Sequence, residues 1–172
     1  MSARIEPVTG RYIHMDINGR PHRVYFEEAG EGIPLLCLHT AGSDGRQFRA
    51  VLNDPEILSR YRVGALDLDR PVVMGCSIGG RIVLHLAIDH PERYRALIGL
   101  QSAASVEKYY DPMWLNHPEV HGGESCGAIA YGLCSPKSPS PAVWETVWHY
   151  MQGGPGVFTG DLYFYQVHGD IR

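Results

Sequence analysis

Apolar and polar positions alternate through the first thirty residues of the chain and then change period. Arg11 to Ile17 and His22 to Glu28 read as two β-strands. Asn18-Gly19 between them is a two-residue hairpin signal, because a type I′ turn needs positive φ at both central positions. After Gly30-Glu31-Gly32, the run Ile33 to Leu38 is continuously apolar, the pattern of a strand that a parallel sheet buries on both faces. His39 to Gly45 is a glycine-rich loop. Phe48 to Leu58 carries Phe48, Val51, Leu52, Ile57 and Leu58 at helical spacing and predicts one helix. Tyr61 to Leu68 and Pro71 to Cys76 read as strands. Ser77 to Asp89 reads as a helix that stops before Pro91, and Ala96 to Leu100 as a further buried strand.

The texture changes after Ala103. Pro118 to Leu133, Ala142 to Met151 and Val157 to Val167 predict three helices, the first weakened by Gly122, Gly123 and Gly127. Strands alternating with helices argue for an α/β fold, a mostly parallel sheet with flanking helices, here over residues 1–103. The helical region 104–172 then reads as a cap or lid. One junction conflicts with a parallel sheet. Only Asp69-Arg70 separates the strands Tyr61–Leu68 and Pro71–Cys76, whereas a parallel crossover takes a dozen residues or more. The expectation is that a segment is missing between them, the alternative being that one of the two is not a strand of the parallel sheet.

Composition narrows the classes. With 172 residues, 44% apolar and 20% charged, the chain is long enough for one cored domain and is not of disordered type. A net charge of −4 and no basic run argue against nucleic acid or an anionic membrane as partner. No apolar run approaches a transmembrane span, and the first residues lack the apolar stretch of a secretory signal. Cys37, Cys76, Cys126 and Cys134 show neither a C-x-x-C pair nor a zinc spacing, so the expectation is a reduced, cytoplasmic protein with no metal. A homo-oligomer stays open.

The candidate chemistry lies in Gly75-Cys76-Ser77-Ile78-Gly79, a G-x-S-x-G set between a predicted strand and a predicted helix. A serine on so sharp a turn stands clear of the backbone and can attack a carbonyl. Together with the opening hairpin, Leu35 to Gly42, Tyr61 to Leu68 and His90 to Leu97, the motif resembles the α/β-hydrolase superfamily, in particular its lid-bearing esterase and carbon–carbon hydrolase branch. The resemblance covers about the first 100 residues. It implies Ser77 as nucleophile and the N–H groups of Ile78 and Ala41 as an oxyanion hole. It also implies His39, Gly42, Gly75 and Gly79 as supports of the loop and elbow, and no cofactor. Thr40 stands where the family usually has glycine.

The resemblance further implies a small-molecule substrate cleaved through a Ser77 acyl-enzyme at an ester, lactone or carbon–carbon bond. Esterases, lactonases, carbon–carbon hydrolases and cofactor-free haloperoxidases all use serine, so the residues leave these open. The aromatic set Tyr109, Tyr110, Trp114, Trp144, Trp148, Phe158, Tyr163, Phe164 and Tyr165 suggests an apolar or aromatic substrate. Cys76 is expected to point into the sheet as a small packing residue. In the family the acid and histidine follow the lid on two further strands, and neither is identifiable here. His39 is expected to hold its loop, His85 lies two helical turns from Ser77, and His90 ends that helix. His117, His121, His149 and His168 belong to the lid, where one lining the pocket remains an alternative. Glu107, Asp111 and Asp170 read as solvated. The competing reading is a shortened, non-catalytic chain of the same fold, or an interaction protein.

Overall fold

A computed structural model describes residues 9–64, 69–105, 123–154, 156–168 and 170–171. The strands β1 (Thr9–Ile17) and β2 (Arg20–Glu28) form a separate antiparallel hairpin around Asn18-Gly19, whose φ angles of +54° and +75° are those the turn demands. Gly19 N donates to Asp16 Oδ1 at 2.7 Å and closes it. The second sheet holds β3 (Ile33–Leu38), β4 (Tyr61–Val63), β5 (Val72–Cys76) and β6 (Ala96–Leu100) in the order β4-β3-β5-β6, all parallel. The two sheets meet where Ala29 pairs antiparallel with Val63.

The helix expected over Phe48 to Leu58 is three short pieces. A 3₁₀ turn covers Gly45–Phe48, and α1 (Arg49–Leu52) and α2 (Pro55–Leu58) follow. Pro55 removes an N–H and disfavours helix at the residue before it, so the chain must restart there. Asp54 caps the new start, its Oδ1 accepting from Glu56 N at 2.8 Å and Ile57 N at 3.1 Å. Phe48 and Leu52 still face inward and pack with Ala29, Leu35, Val63 and Val72 as the principal core.

The conflict at Asp69-Arg70 dissolves in the register. Val63 at the end of β4 and Val72 at the start of β5 are both partnered with Leu35 of β3. The strands are staggered, so the link need not run back along the sheet. It need only cross over β3, about 10 Å at the usual spacing of neighbouring strands. Of the strand expected over Tyr61 to Leu68, Tyr61–Val63 is strand and Gly64 a turn; residues 65–68 lie outside the described residues. Gly64 makes the exit at φ +80°, donating its N–H to Leu35 O at 2.8 Å, while a Cβ there would collide with the Glu27 carbonyl.

The helix α3 (Ile78–Asp89) packs on β5 and β6 and runs one residue shorter than expected, with Ser77 outside it. A 3₁₀ turn at Pro91–Arg93 leads into β6. That strand was expected to be buried, but Ile98 and Leu100 are 40% and 41% exposed because β6 has no outer neighbour among the described residues. Beyond it come α4 (Gly123–Leu133), α5 (Ser140–Met151) and α6 (Val157–Val167). Residues 118–122, with Tyr109, Tyr110, Trp114, His117, His121, Glu107 and Asp111, lie outside the described residues. Gly123 and Gly127 do not break α4. A Cβ at either would collide with Met151, so they are what let α4 and α5 approach. Trp144 and Trp148 of α5 remain 60% and 51% exposed. No described helix is long and apolar enough to cross a membrane.

Replacing Gly64 by alanine forces a side chain into left-handed backbone against a main-chain oxygen. Strain of this kind costs about 1–3 kcal/mol, and the Gly64→Ala chain is expected to lose at least that much unfolding free energy and to unfold at a lower urea concentration, read from equilibrium unfolding curves.

Candidate active site

Ser77 is held between β5 and α3 at φ +56° and ψ −112°. Backbone of this kind in a non-glycine residue costs about 1–3 kcal/mol and persists only where its surroundings impose it. The imposing contacts are visible. Ser77 N donates to Leu100 O of β6 at 2.9 Å, and Arg81 N donates to Ser77 O at 2.8 Å. The motif glycines permit main chains to touch. A Cβ on Gly75 would collide with the Gly79 carbonyl, and one on Gly79 with the Leu38 carbonyl of β3. Only glycine fits these positions, so the elbow follows from the spacing of its residues.

The loop after β3 comes to the same place. His39 Nδ1 lies 2.9 Å from Thr40 O, within the loop it was expected to hold. Thr40, in the position where glycine is usual, has its N–H satisfied by Gln47 Oε1 at 2.9 Å, and the left-handed residue is Gly42 at φ +74°. Ala41 and Ile78 are buried in one cluster with Leu162 and Tyr165 of α6. Ile78 opens α3, so its N–H has no acceptor within the helix. Among the described residues neither the Ala41 nor the Ile78 N–H donates to another group. Ala41 and Ile78 thus each carry an N–H with no acceptor among the described residues, that of Ile78 directly after the serine in the chain.

The helix α6 lies directly on this machinery. Phe158, Asp161, Leu162 and Tyr165 follow the i, i+3, i+4, i+7 spacing of one helical face. Asp161 Oδ2 accepts the Gly42 N–H at 2.9 Å, and Phe158 closes against Gly42. The Tyr165 phenol is raised above its ordinary pKa by burial, opposed by a side-chain hydrogen bond with Ser77. Arg81, fully buried, donates to the carbonyls of Ala103 and His168 and ties α3 to the end of α6. Sequence reading passed over Asp161. Its signal was an acid inside an otherwise apolar helical face.

On the other side of Ser77 opens a cavity of about 540 Å³. Its walls are Cys76, Ser77 and Gln101 at the elbow, Thr40, Arg46 and Gln47 after β3, Ala130 and Leu133 of α4, and Glu145, His149 and Tyr150 of α5. Of the aromatic residues expected to line an acyl pocket, none of those described borders this cavity, though Trp144 lines a separate one between α4 and α5. Trp144 stacks on Tyr131, and Trp148 carries the Arg46 guanidinium 5.3 Å above its ring. Cys76 does not point into the sheet: its thiol donates to Gln101 Oε1 at 2.9 Å on the cavity wall. Burial raises the Cys76 pKa, with Gln47 pulling the other way, and burial alone pushes Cys37 up to about 12. At the rim, burial would raise Asp44, but hydrogen bonds from Arg46 outweigh it and hold that carboxyl below its ordinary value. His149 is buried, and burial lowers its imidazole. The other histidines described lie elsewhere. His85 and His168 pack on Phe164, and His90 ends α3. Asp170 is exposed, as expected.

A model of the α/β-hydrolase fold matches residues 33–123, more than half of the chain. The chain belongs to the α/β-hydrolase fold family. A pimeloyl-[acyl-carrier protein] methyl ester esterase of Aeromonas hydrophila is 29% identical over 108 residues, an alignment taking in 46% of this chain and 42% of that one. The chain thus spans less than half the length of this curated relative. Because 108 aligned positions exceed 46% of 172 residues, the esterase has residues within the aligned span that are absent here. Among solved structures, a hydrolase from Pseudomonas aeruginosa superposes with a TM-score of 0.68 at 16% identity over 87% of this chain and 70% of that one. An N-acyl homoserine lactone degrading enzyme gives 0.62 at 22% over 88% and 69%. For an α/β-hydrolase chain, the four parallel strands are a partial sheet in which the elbow and the loop after β3 are in place.

The Asp161–Gly42 contact spans the chain and is partly buried. Asp161→Ala leaves the Gly42 N–H without its acceptor and is expected to cost about 1–3 kcal/mol in urea unfolding. Asp161→Asn, which keeps an acceptor oxygen, is expected to cost clearly less.

Proposed function

We propose that this chain is a serine hydrolase in which Ser77 Oγ bonds to the carbonyl carbon of a small ester or lactone. The bond from that carbon to the alcohol oxygen breaks, that oxygen leaves carrying the proton the serine gives up, and an acyl-enzyme remains. The observation that carries this reading is the forced backbone of Ser77, with the unpaired N–H groups of Ala41 and Ile78 beside it. As the carbonyl oxygen takes up negative charge, two such donors stabilise it, each contributing about 3–4 kcal/mol where this has been tested by mutation. The related methyl ester esterase and the lactone-degrading enzyme of the same fold support ester and lactone over carbon–carbon chemistry.

The cavity lies within the roughly 300–1,000 Å³ range of small-molecule sites. Ala130 and Leu133 on one wall and Gln47 and Gln101 on another favour a substrate with a short apolar part and a polar one, rather than a purely aromatic acyl group. Residues 104–172 act in this reading as a cap over the core of residues 1–103. A second reading, a non-catalytic chain, is favoured by one observation: Tyr165 already engages the Ser77 side chain.

A fluorophosphonate probe separates the two. Stoichiometric labelling mapped to Ser77 by mass spectrometry, and lost in Ser77→Ala, is expected. Folded wild-type chain that takes up no probe would leave only the non-catalytic reading.

A further inference from the structure

We propose that Gln101 is a specificity residue of the Ser77 cavity, its side-chain amide donating a hydrogen bond to a second, uncharged carbonyl oxygen on the ester or lactone that is cleaved. This rests on the reading of Ser77 as nucleophile. Gln101 stands directly after β6, whose last residue, Leu100, is partnered with Cys76 and accepts the Ser77 N–H at 2.9 Å. The chain leaves the strand there at φ +49°. This is left-handed backbone, which a residue with a Cβ adopts only where its surroundings impose it. From that turn the Gln101 side chain borders the same cavity as Ser77.

A run of hydrogen bonds fixes which atoms of the amide are left for a ligand. The Thr40 side chain is bonded to the Tyr150 phenol, and the Thr40 N–H donates to Gln47 Oε1 at 2.9 Å. With its oxygen engaged, Gln47 bonds Cys76 through its amide nitrogen, opposing the rise that burial gives the thiol pKa. Cys76 Sγ in turn donates to Gln101 Oε1 at 2.9 Å. The oxygen at the end of the run is therefore occupied, and Gln101 Nε2 has no acceptor among the described residues. An amide nitrogen carries two N–H donors and accepts nothing, so the cavity wall beside the elbow offers a donor. The matching group is a neutral oxygen. Arg46 is already paired with Asp44, and Glu145 borders the cavity with no ion-pair partner among the described residues. A carboxylate would meet that negative charge and find only an uncharged amide to offset its desolvation. A ketone or amide carbonyl beyond the one attacked fits instead. Three features outside the acyl transfer then share one role: Thr40 in place of glycine, the turn of Cys76 to the cavity, and the strained backbone of Gln101.

Ethyl acetoacetate and ethyl butyrate differ by one ketone oxygen in the acyl part, and acetonyl acetate and propyl acetate by one in the alcohol part. In one of these pairs, the kcat/KM ratio of ketone ester to plain ester is expected to fall about tenfold from wild type to Gln101→Met, the fold-change of a neutral hydrogen bond. Gln101→Glu has the same shape with acceptors in place of donors and should lower the ratio further. Cys76→Ala removes the thiol that orients the amide and is expected to lower the ratio part-way, whereas Cys76→Ser should keep it. Ratios unchanged in Gln101→Met and Gln101→Glu would overturn the proposal and leave Ser77 as nucleophile. Binding is read apart from turnover in Ser77→Ala, through the side-chain amide NMR signal of Gln101, assigned by its loss in Gln101→Glu. That signal should shift with a ketone ester and not with its plain partner. Folded wild type that hydrolyses none of the four esters would sink the reading of Ser77. The amide signal then decides on Gln101 alone: unmoved by both ketone esters, it overturns the proposal.

Discussion

Main-chain contact at the elbow is the constraint on which the rest depends. With side chains on Gly75 or Gly79, β5 could not turn into α3 against the carbonyls of Gly79 and Leu38. Because it does, Ser77 is driven to φ +56° and its N–H is pinned to Leu100 O of β6. The same close approach lays α3 across β5 and β6 and brings Ile78 beside Ala41. One local steric condition thus places a strained serine, two unpaired amides and the neighbouring strands together. The strain is sustained by contacts on both sides of the turn, not by Ser77 itself.

The sheet obeys a looser rule. Parallel strands ordinarily need long crossovers because the chain must travel back the full length of a strand. Here β4 stops where β5 begins, both opposite Leu35, so the return path vanishes. The stagger costs β4 most of its ladder, leaving it three residues long. Its position is secured by the second pairing of Val63 with Ala29 and by the core of Phe48, Leu52 and Leu35.

Around the elbow, α5 and α6 have different tasks. The α6 face of Phe158, Asp161, Leu162 and Tyr165 seals the loop after β3 and engages Ser77, while α5 presents Glu145, His149 and Tyr150 to an open cavity. One side of the serine is therefore dry and held, and the other is wide enough for a ligand. The Ala41 and Ile78 amides lie in a buried cluster, where dipoles act more strongly than in water.

By itself the sequence determined the hairpin, the strand–turn–helix at Ser77, the order of the parallel strands' segments and the three late helices. Each rests on interactions between residues close in the chain: positive φ at Asn18-Gly19, glycine spacing around Ser77, apolar runs in β3 and β5. Local signals also misled, as when apolar spacing from Phe48 to Leu58 concealed the break that Pro55 imposes. What only the tertiary structure decided were relations between distant segments. These include the stagger of β4 against β5, the exposure of β6, the exposed Trp144 and Trp148, the turn of Cys76 to the cavity, and the meeting of Asp161 with Gly42 and of His149 with the Ser77 cavity. Periodicity states which face of an element is apolar but not which other element covers it. A buried acid or histidine looks like a surface one until its neighbours are in place, because burial and unpaired nitrogens are properties of the packed chain and not of its spacing.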